Sequence, residues 1–469
     1  MFSPPRRGTV YGSLLNHPDA LAALGAAVHE PPYKAPPKAP VLYIKPRNTW
    51  VKSGDAIVVP AGVDELEIGA TLGLVIGRAA CRVSEAQALA CVAGYVIVND
   101  VSVPHASYYR PSLRFKVRDT FCPIGAFVPR AAVASPDAVG IAVAIDGEVV
   151  HRASTAGLIR PAARLLAEVS AFMTLAPGDV LMLGVAAGAP RARRPARVDR
   201  DRRPRPARQP ARRRSGGRVT RRARVAFAGA IHDATAHADG LQLADGRVLA
   251  ETQVVWLPPF EVGTIIALGI NYADHAKELA KELTTSANDE PLAFLKAPNT
   301  LIGHRGITRR PRDAAFMHYE CELAVVIGRV AKKVMRADAM AFVAGYTVAN
   351  DYAVRDYLEN WYRPNLRVKN RDGCTAIGPW LVDTADVPDP HALELRTLVN
   401  GEVRQRGNTR DLINDVPALI EYLSGFMTLA PGDVILTGTP EGVVNVNPGD
   451  EVVCEIDGVG RLVNTIESE

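Results

Sequence analysis

The sequence predicts an α+β protein, mostly β, built from two tandem copies of one domain that pack together as an internal pseudo-dimer. The nine residues FMTLAPGDV occur twice, at 172–180 and at 426–434. Nine consecutive identities in a stretch of mixed composition indicate duplication of an ancestral domain. Duplicated domains commonly retain the two-fold interface of an ancestral homodimer, so we expect the two copies to pack against each other.

Further matching motifs, in the same order, extend the duplication along most of the chain. At an offset of 251 residues they are IKPRNT (44–49) with LKAPNT (295–300), LVIGR (74–78) with VVIGR (325–329), and AGYVIVND (93–100) with AGYTVAND (344–351). A two-residue insertion then aligns YRPSLRFK (109–116) with YRPNLRVK (362–369). Short alternating apolar runs between Gly, Pro and Asp turns predict many short strands. Helices are predicted at 160–172, 273–283, 338–344 and 414–426.

We predict four segments, namely a first repeat (1–188), an Arg/Pro-rich segment (189–217), a small β-rich subdomain (218–262) and a second repeat (263–469). Between Arg191 and Arg224 there are 16 arginines against 2 aspartates, so the net charge of +5 is local and the remainder of the chain is acidic. This basic stretch has four prolines and no aromatic residue. It therefore lacks the stacking groups of a nucleic-acid binder, and we expect no nucleic-acid partner.

The Arg/Pro-rich segment stands where the second repeat has its closing strands. After TGTPEGV (437–443) the second repeat continues with a turn and two alternating runs, whereas LGVAAGA (183–189) is followed by arginines and prolines. GC-rich codons read out of frame yield such residues, so we hypothesise a frameshift at about 190–218, with a natural basic linker as the alternative. In either case we predict disorder over 191–224, and a first repeat with an exposed sheet edge.

We expect the protein to be cytoplasmic. No apolar run reaches the roughly 18 residues that span a bilayer, and the first residues form no apolar signal segment. The six cysteines show neither a CxxC pair nor a zinc-ligand spacing. We therefore expect reduced thiols and no membrane partner.

The stretch HYECELAVVIGR is the first candidate for chemistry. Glu320 and Glu322 leave the same face of a predicted strand about 7 Å apart, and Asp351 closes the strand AGYTVAND. Three carboxylates without His or Cys favour a hard divalent ion, Mg²⁺ or Mn²⁺. The alternative is a solvated strand face, but the first repeat has Gly69 and Thr71 at the glutamate positions. The fold therefore does not require the glutamates, which favours a functional role.

A second candidate is the pair His275 and Glu278, which share a face of a predicted helix at i, i+3 spacing. The glutamate could orient the imidazole as a proton-transfer dyad, or the pair could be plain helix surface. If Asn16 matches Asn271, alanines replace both members in the first repeat.

Other candidate site residues differ less consistently between the two repeats. Lys296 and Lys369 are matched by lysines in the first repeat, whereas Arg355 faces a proline there. The turn TGTPEG offers the hydroxyl of Thr439 and backbone amides as a carboxylate cradle, and its counterpart LGVAAG has lost the hydroxyls.

Six motifs, NYADH, FLK, ECELAVVIG, AND, RVKNRD and LTGTPEGV, occur from about Val262 onward in the order typical of the fumarylacetoacetate hydrolase superfamily. The chain resembles that family, which implies a mixed β-sandwich roll for each half. At the matching positions the resemblance implies Glu320, Glu322 and Asp351 as Mg²⁺ ligands, His275, Glu278 and Lys369 as catalytic residues, and Arg355, Thr439 and Lys296 as substrate contacts.

The duplicated architecture resembles family members that isomerise and decarboxylate a 2-oxo or 2-hydroxy dienoate tricarboxylate in bacterial aromatic catabolism. One site could serve both steps, because a bound cation would stabilise the enolate that each requires. The alternatives are an acylpyruvate-type C–C hydrolase or a 2-oxo acid decarboxylase of the same superfamily, and a binding module without catalysis. We predict catalysis in the second repeat on a small dicarboxylate or tricarboxylate, and leave open a further homo-oligomer.

Overall fold

The structure, a computed structural model, describes residues 8–193, 221–274 and 290–469. The first repeat is built on an eight-stranded mixed sheet. In spatial order its strands are Val41–Lys45, Val10–Leu14, Val180–Met182, Ala70–Ile76, Val92–Asn99, Cys122–Ile124 and Trp50–Lys52, with Val128–Pro129 beside Val92–Asn99. The central strand Ala70–Ile76 is buried on both faces, which is why its sequence is a nearly continuous apolar run.

The second repeat has the same strand order within a twelve-stranded sheet. The matching strands are Leu292–Lys296, Ile265–Gly269, Val434–Leu436, Cys321–Ile327, Val343–Asp351 and Thr375–Asp383. The small subdomain continues the sheet through four strands, Arg221–Phe227, Ala230–His237, Gly240–Leu243 and Val248–Leu249. Val255–Leu257 pairs with Arg221–Phe227, and Leu301–Ile302 pairs with Thr375–Asp383. In both repeats the strand that begins at the end of FMTLAPGDV pairs in parallel with the repeat's first strand.

A second sheet covers the second repeat. Its five strands are, in order, Ile307–Arg310, Gly460–Ser468, Glu451–Ile456, Glu394–Val399 and Glu402–Asn408. Shorter pairs are Met317–His318 with Ala353–Val354, and Glu65–Glu67 with Arg191–Arg193. In the first repeat, the hairpin Gly140–Ile145 and Glu148–Ser154 stands where the second has Glu394–Val399 and Glu402–Asn408. Among the described strands that hairpin has no further partner, and Val149 and Val150 are 50% and 48% exposed.

The α-helices within the described ranges are few and short. They are Pro18–Ala22, Glu85–Ala88, Leu113–Lys116, Ala162–Ser170, Leu366–Lys369 and Val416–Phe426. The predicted helices at 160–172 and 414–426 are confirmed, each starting two residues later than expected. Asp415 caps the second by accepting the Ala418 N–H at 2.9 Å. Within the described ranges no helix is long and apolar enough to cross a bilayer.

Two other helix predictions have different outcomes. The α-helix expected at 338–344 is wrong, because Arg336–Phe342 forms a 3₁₀ helix and the next strand begins at Val343. The Arg336 N–H donates to Glu421 of the neighbouring helix at 2.9 Å, so packing fixes the tight turns there. Most of the helix expected at 273–283 lies outside the described residues.

The disorder predicted for 191–224 is wrong at both ends. Arg191–Arg193 pairs antiparallel with Glu65–Glu67, and Arg191 forms an ion pair with Glu65 at 2.7 Å. Arg221–Phe227 pairs with three other strands of the second repeat's sheet. Backbone pairing and local charge compensation fix these ends. The intervening residues, on which the frameshift hypothesis rests, lie outside the described ranges.

The two repeats contact each other through reciprocal hydrogen bonds. Thr428 donates its N–H and its Oγ1 proton to Asp119 at 2.8 and 2.6 Å. Thr174, the counterpart of Thr428, donates in the same way to Asp372, the counterpart of Asp119, at 2.8 and 2.5 Å. Residue pairs exchanged between equivalent positions define an isologous contact, as the predicted pseudo-dimer requires.

Candidate active site

Three carboxylates of the second repeat converge where two neighbouring strands meet. Glu322 lies in Cys321–Ile327, Glu320 directly precedes that strand, and Asp351 ends Val343–Asp351. Antiparallel pairing places Glu320 opposite Asp351, whose N–H donates to the Glu320 carbonyl at 2.9 Å. One carboxylate oxygen from each residue lies within 4.8 Å of the other two. We call Glu320, Glu322 and Asp351 the carboxylate triad.

The environment of Glu322 fits a bound cation. Its side chain is fully buried, and its Oε2 accepts the Gly438 N–H at 2.6 Å. Its Oε1 is buried without a hydrogen-bond partner among the described residues. Burial raises the pKa of Glu322, and the charges of Asp351 and Glu320 raise it further. A divalent ion would compensate the charge of such a buried oxygen, so the residues present fit a hard metal ion.

Two buried lysines hold the triad in place. Lys369 Nζ lies 2.7 Å from Glu320 and 2.9 Å from Asp351, and Lys296 Nζ lies 2.5 Å from Asp351. Burial acts to lower the pKa of Lys369, but the carboxylates of Asp351 and Glu320 outweigh it and raise that pKa. Lys369 is therefore a fixed ammonium group. Lys296 is fully buried behind Asp351 and also donates to the Lys369 carbonyl.

Glu320 of the carboxylate triad lines a pocket, which we call the triad pocket. Among the described residues, the polar ones on its wall are Glu320, Lys369, Arg355, Thr439, Arg363 and Arg110. Thr439 Oγ1 accepts a hydrogen bond from Gln405 at 3.0 Å, which leaves its own proton to donate. The structure thus brings Arg355, Thr439 and Lys369 together with the triad, whereas Lys296 does not line this pocket. His275 and Glu278 lie outside the described residues.

The equivalent centre of the first repeat is closed. Asp100, the counterpart of Asp351, forms ion pairs with Lys45 at 2.7 Å and Lys116 at 2.8 Å, and accepts a hydrogen bond from Tyr43. Burial acts to raise the pKa of Asp100, but the two lysines lower it well below its ordinary value. The ring of Tyr43 occupies the space beside Gly12, where a Cβ would lie 2.0 Å from the ring.

The positions of the two glutamates are also filled differently in the first repeat. Thr71 Oγ1 accepts the Gly184 N–H at 3.1 Å, as Glu322 accepts that of Gly438 in the second repeat. A Cβ added to Gly69 would lie 2.6 Å from the Asp100 carbonyl oxygen, so a larger side chain would require the backbone to move. The centre of the first repeat therefore has one carboxylate at these three positions and is closed, whereas the centre of the second repeat has three.

Sequence reasoning missed three features of the site. The predicted carboxylate cradle at TGTPEG uses the Gly438 amide to bind Glu322, a carboxylate of the protein itself. Arg363 and Arg110 both line the triad pocket, although Arg110 belongs to the first repeat. Both arginines belong to the motif YRP, which occurs in both repeats and is the sequence signal that could have identified them.

The fold and the triad define a duplicated β-rich domain in which one copy carries a divalent-cation type of site. The family model for the C-terminal domain of fumarylacetoacetate (FAA) hydrolase matches the chain twice, at residues 9–212 and 264–467. The chain belongs to the FAA hydrolase family.

The chain is also similar to individual proteins of known name. Two proteins named 4-hydroxyphenylacetate degradation bifunctional isomerase/decarboxylase, from Salmonella dublin and Escherichia coli, are each 48% identical over 468 residues, which covers 99% of this chain and 99% of each relative. A crystal structure of 5-carboxymethyl-2-hydroxymuconate delta-isomerase from Mycobacterium smegmatis is 39% identical, with a TM-score of 0.46, and covers 53% of this chain and 99% of that one.

Proposed function

We propose that this chain is an Mg²⁺-dependent enzyme of 4-hydroxyphenylacetate (homoprotocatechuate) meta-cleavage catabolism. It isomerises and decarboxylates a 2-oxo or 2-hydroxy dienoate that carries several carboxylates. The observation that carries the proposal is the carboxylate triad beside a cationic pocket, in a chain that matches bifunctional relatives over nearly its whole length. We further propose the cytoplasm as its location and 263–469 as the catalytic repeat.

The residues of the site have different roles in the proposed reaction. Glu320, Glu322 and Asp351 would hold the cation, and their all-oxygen donor set suits Mg²⁺ and also Mn²⁺. When bound, the ion polarises the 2-oxo group and stabilises the negative charge of the enolate common to both reactions. Lys369 keeps Glu320 and Asp351 in position.

Residues on the wall of the triad pocket would bind the substrate. Arg355 offers a planar guanidinium suited to bidentate carboxylate binding, and Thr439 offers its hydroxyl proton. For proton transfer between carbons we propose His275, oriented by Glu278, since an imidazole titrates near neutral pH. Lys296 acts through Asp351, which it holds from behind.

The test is Glu320→Gln, which removes one charged ligand while keeping the side-chain shape. We expect weaker Mn²⁺ binding by calorimetry, and a parallel fall of isomerisation and decarboxylation, followed by ultraviolet decay of the dienoate and by CO₂ release. Glu67→Gln, which removes a partly buried carboxylate close to Asp100 in the first repeat, is the matched control. Full Mg²⁺-dependent activity in Glu320→Gln would refute the site. Two acid products without CO₂ would identify a hydrolase instead.

A further inference from the structure

The first repeat contributes an arginine to the pocket of the second. The two YRP loops are joined by backbone hydrogen bonds, from the Tyr362 N–H to the Tyr108 carbonyl and from the Arg363 N–H to the Tyr109 carbonyl, both at 2.7 Å. Arg110 then donates from Nη1 to the Arg363 carbonyl at 3.0 Å. These contacts fix the guanidinium of Arg110 on the wall of the triad pocket.

Arg110 has no counter-ion among the described residues and is held in place by other contacts. Its guanidinium carbon lies 4.6 Å from the centre of the Tyr109 ring, a contact that orients the cation. Within the described part of the chain no carboxylate lies at ion-pair distance from it, whereas Arg114 nearby pairs with Glu290. A guanidinium that is partly buried, oriented and lacking a carboxylate partner is suited to bind a carboxylate from a ligand.

The position of Arg110 identifies which end of a ligand it would meet. The triad pocket adjoins a larger cleft between the repeats, of about 380 Å³, and Arg110 lines both. Glu320 and Lys369 line the triad pocket only. Arg110 therefore lies where the triad pocket meets the cleft, whereas Glu320 lies away from that junction.

The charge of the pocket agrees with a ligand of several carboxylates. Among the described residues, the side chains of Arg110, Arg355, Arg363 and Lys369 line it together with one carboxylate, that of Glu320. A ligand that binds a metal ion on the triad through one end can place another carboxylate beside Arg110.

We propose that Arg110 binds the substrate carboxylate farthest from the triad, so that the first repeat supplies a specificity-determining residue to the site of the second. The inference rests on the proposed function, because it assumes a ligand whose 2-oxo acid end faces the triad. It gives the first repeat a part in substrate recognition although its own centre is closed.

The test compares two ligands that differ only at the distal end. Both 2-oxoadipate and 2-oxohexanoate carry the same 2-oxo acid group, but only 2-oxoadipate has a second carboxylate. Their affinities are measured by calorimetry on the full-length protein saturated with Mn²⁺. We expect Arg110→Gln to weaken 2-oxoadipate binding by about 10- to 100-fold and to change 2-oxohexanoate binding less than about twofold.

Controls separate recognition from folding. Arg118→Gln removes a half-buried arginine of the same repeat that lines neither cavity and donates to the Arg114 carbonyl, so both affinities should match those of wild type. Arg110→Lys should recover only part of the 2-oxoadipate affinity, since lysine lacks the bidentate fork. Manganese affinity should be unchanged in all three variants.

Two outcomes would overturn the inference. One is a wild-type protein that binds the two ligands equally, and the other is an Arg110→Gln variant that keeps the wild-type preference for 2-oxoadipate. Turnover of the dienoate by wild type is a separate measurement. A protein without that turnover that nevertheless loses its ligand preference through Arg110→Gln would refute the proposed function and leave the role of Arg110 standing.

Discussion

Asp100 and Asp351 are counterparts in the two repeats, and the structure predicts that replacing each with asparagine chiefly affects a different property of the protein. In the first repeat, Asp100→Asn leaves Lys45 and Lys116 buried without the carboxylate that now lies 2.7 and 2.8 Å from them. In the second repeat, Asp351→Asn leaves Lys369 its ion pair with Glu320 at 2.7 Å. The first change should therefore reduce stability most, and the second should chiefly reduce metal binding and activity.

The magnitude follows from burial. Breaking a buried ion pair by removing one partner costs about 3–5 kcal/mol, because the remaining charge stays desolvated. Since Asp100 is 2% exposed and Lys45 0%, the full range applies to Asp100→Asn. For a domain of this size that corresponds to a melting temperature lower by about 6–20 °C. In Asp351→Asn the buried Lys296 loses its carboxylate, but removing one of three neighbouring carboxylates also relieves their mutual repulsion, so we expect a smaller cost of about 1–3 kcal/mol.

Differential scanning calorimetry in EDTA and in saturating Mg²⁺ measures both effects. Mg²⁺ should raise the melting temperature of wild type and of Asp100→Asn, because a ligand that binds only the folded state stabilises it. It should leave Asp351→Asn unchanged. The reasoning fails if Asp100→Asn melts within about 2 °C of wild type, or if Asp351→Asn loses as much stability as Asp100→Asn in EDTA.

Two further predictions concern proton transfer and the contact between the repeats. His275→Ala should keep Mn²⁺ affinity and slow isomerisation by about 10²- to 10⁴-fold, measured by ultraviolet decay, and unchanged turnover would exclude it as the base. Asp119→Asn should cost about 1–2 kcal/mol at pH 7 in urea unfolding, because Lys332 at 2.7 Å and Thr428 stabilise the carboxylate and, against burial, lower its pKa. The stability difference from wild type should persist above the unfolded pKa of about 3.9 and disappear as the pH falls through the lower folded value. A difference that grows in acid would contradict this sign.

The sequence predicts features that repeat with a fixed period and misses those that depend on packing. Glu320 and Glu322 were predicted on one face because strand side chains alternate, and the structure brings their carboxylates together with Asp351. The contact of Glu322 with the Gly438 amide joins residues more than a hundred positions apart, and no local pattern indicates it. The location of Arg110 is harder still, because it depends on how one repeat packs against the other.

The loss of two glutamates explains why the first centre is closed. With Gly69 and Thr71 in place of glutamates, two lysines face a single carboxylate, so the centre attracts no cation. Tyr43 donates a hydrogen bond to Asp100, and its ring packs against Gly12. Restoring Gly69→Glu alone would not reopen the centre, because the new Cβ would lie 2.6 Å from the Asp100 carbonyl and the tyrosine would remain. Several substitutions therefore separate the two centres, and Arg110 of the first repeat lines the pocket of the second.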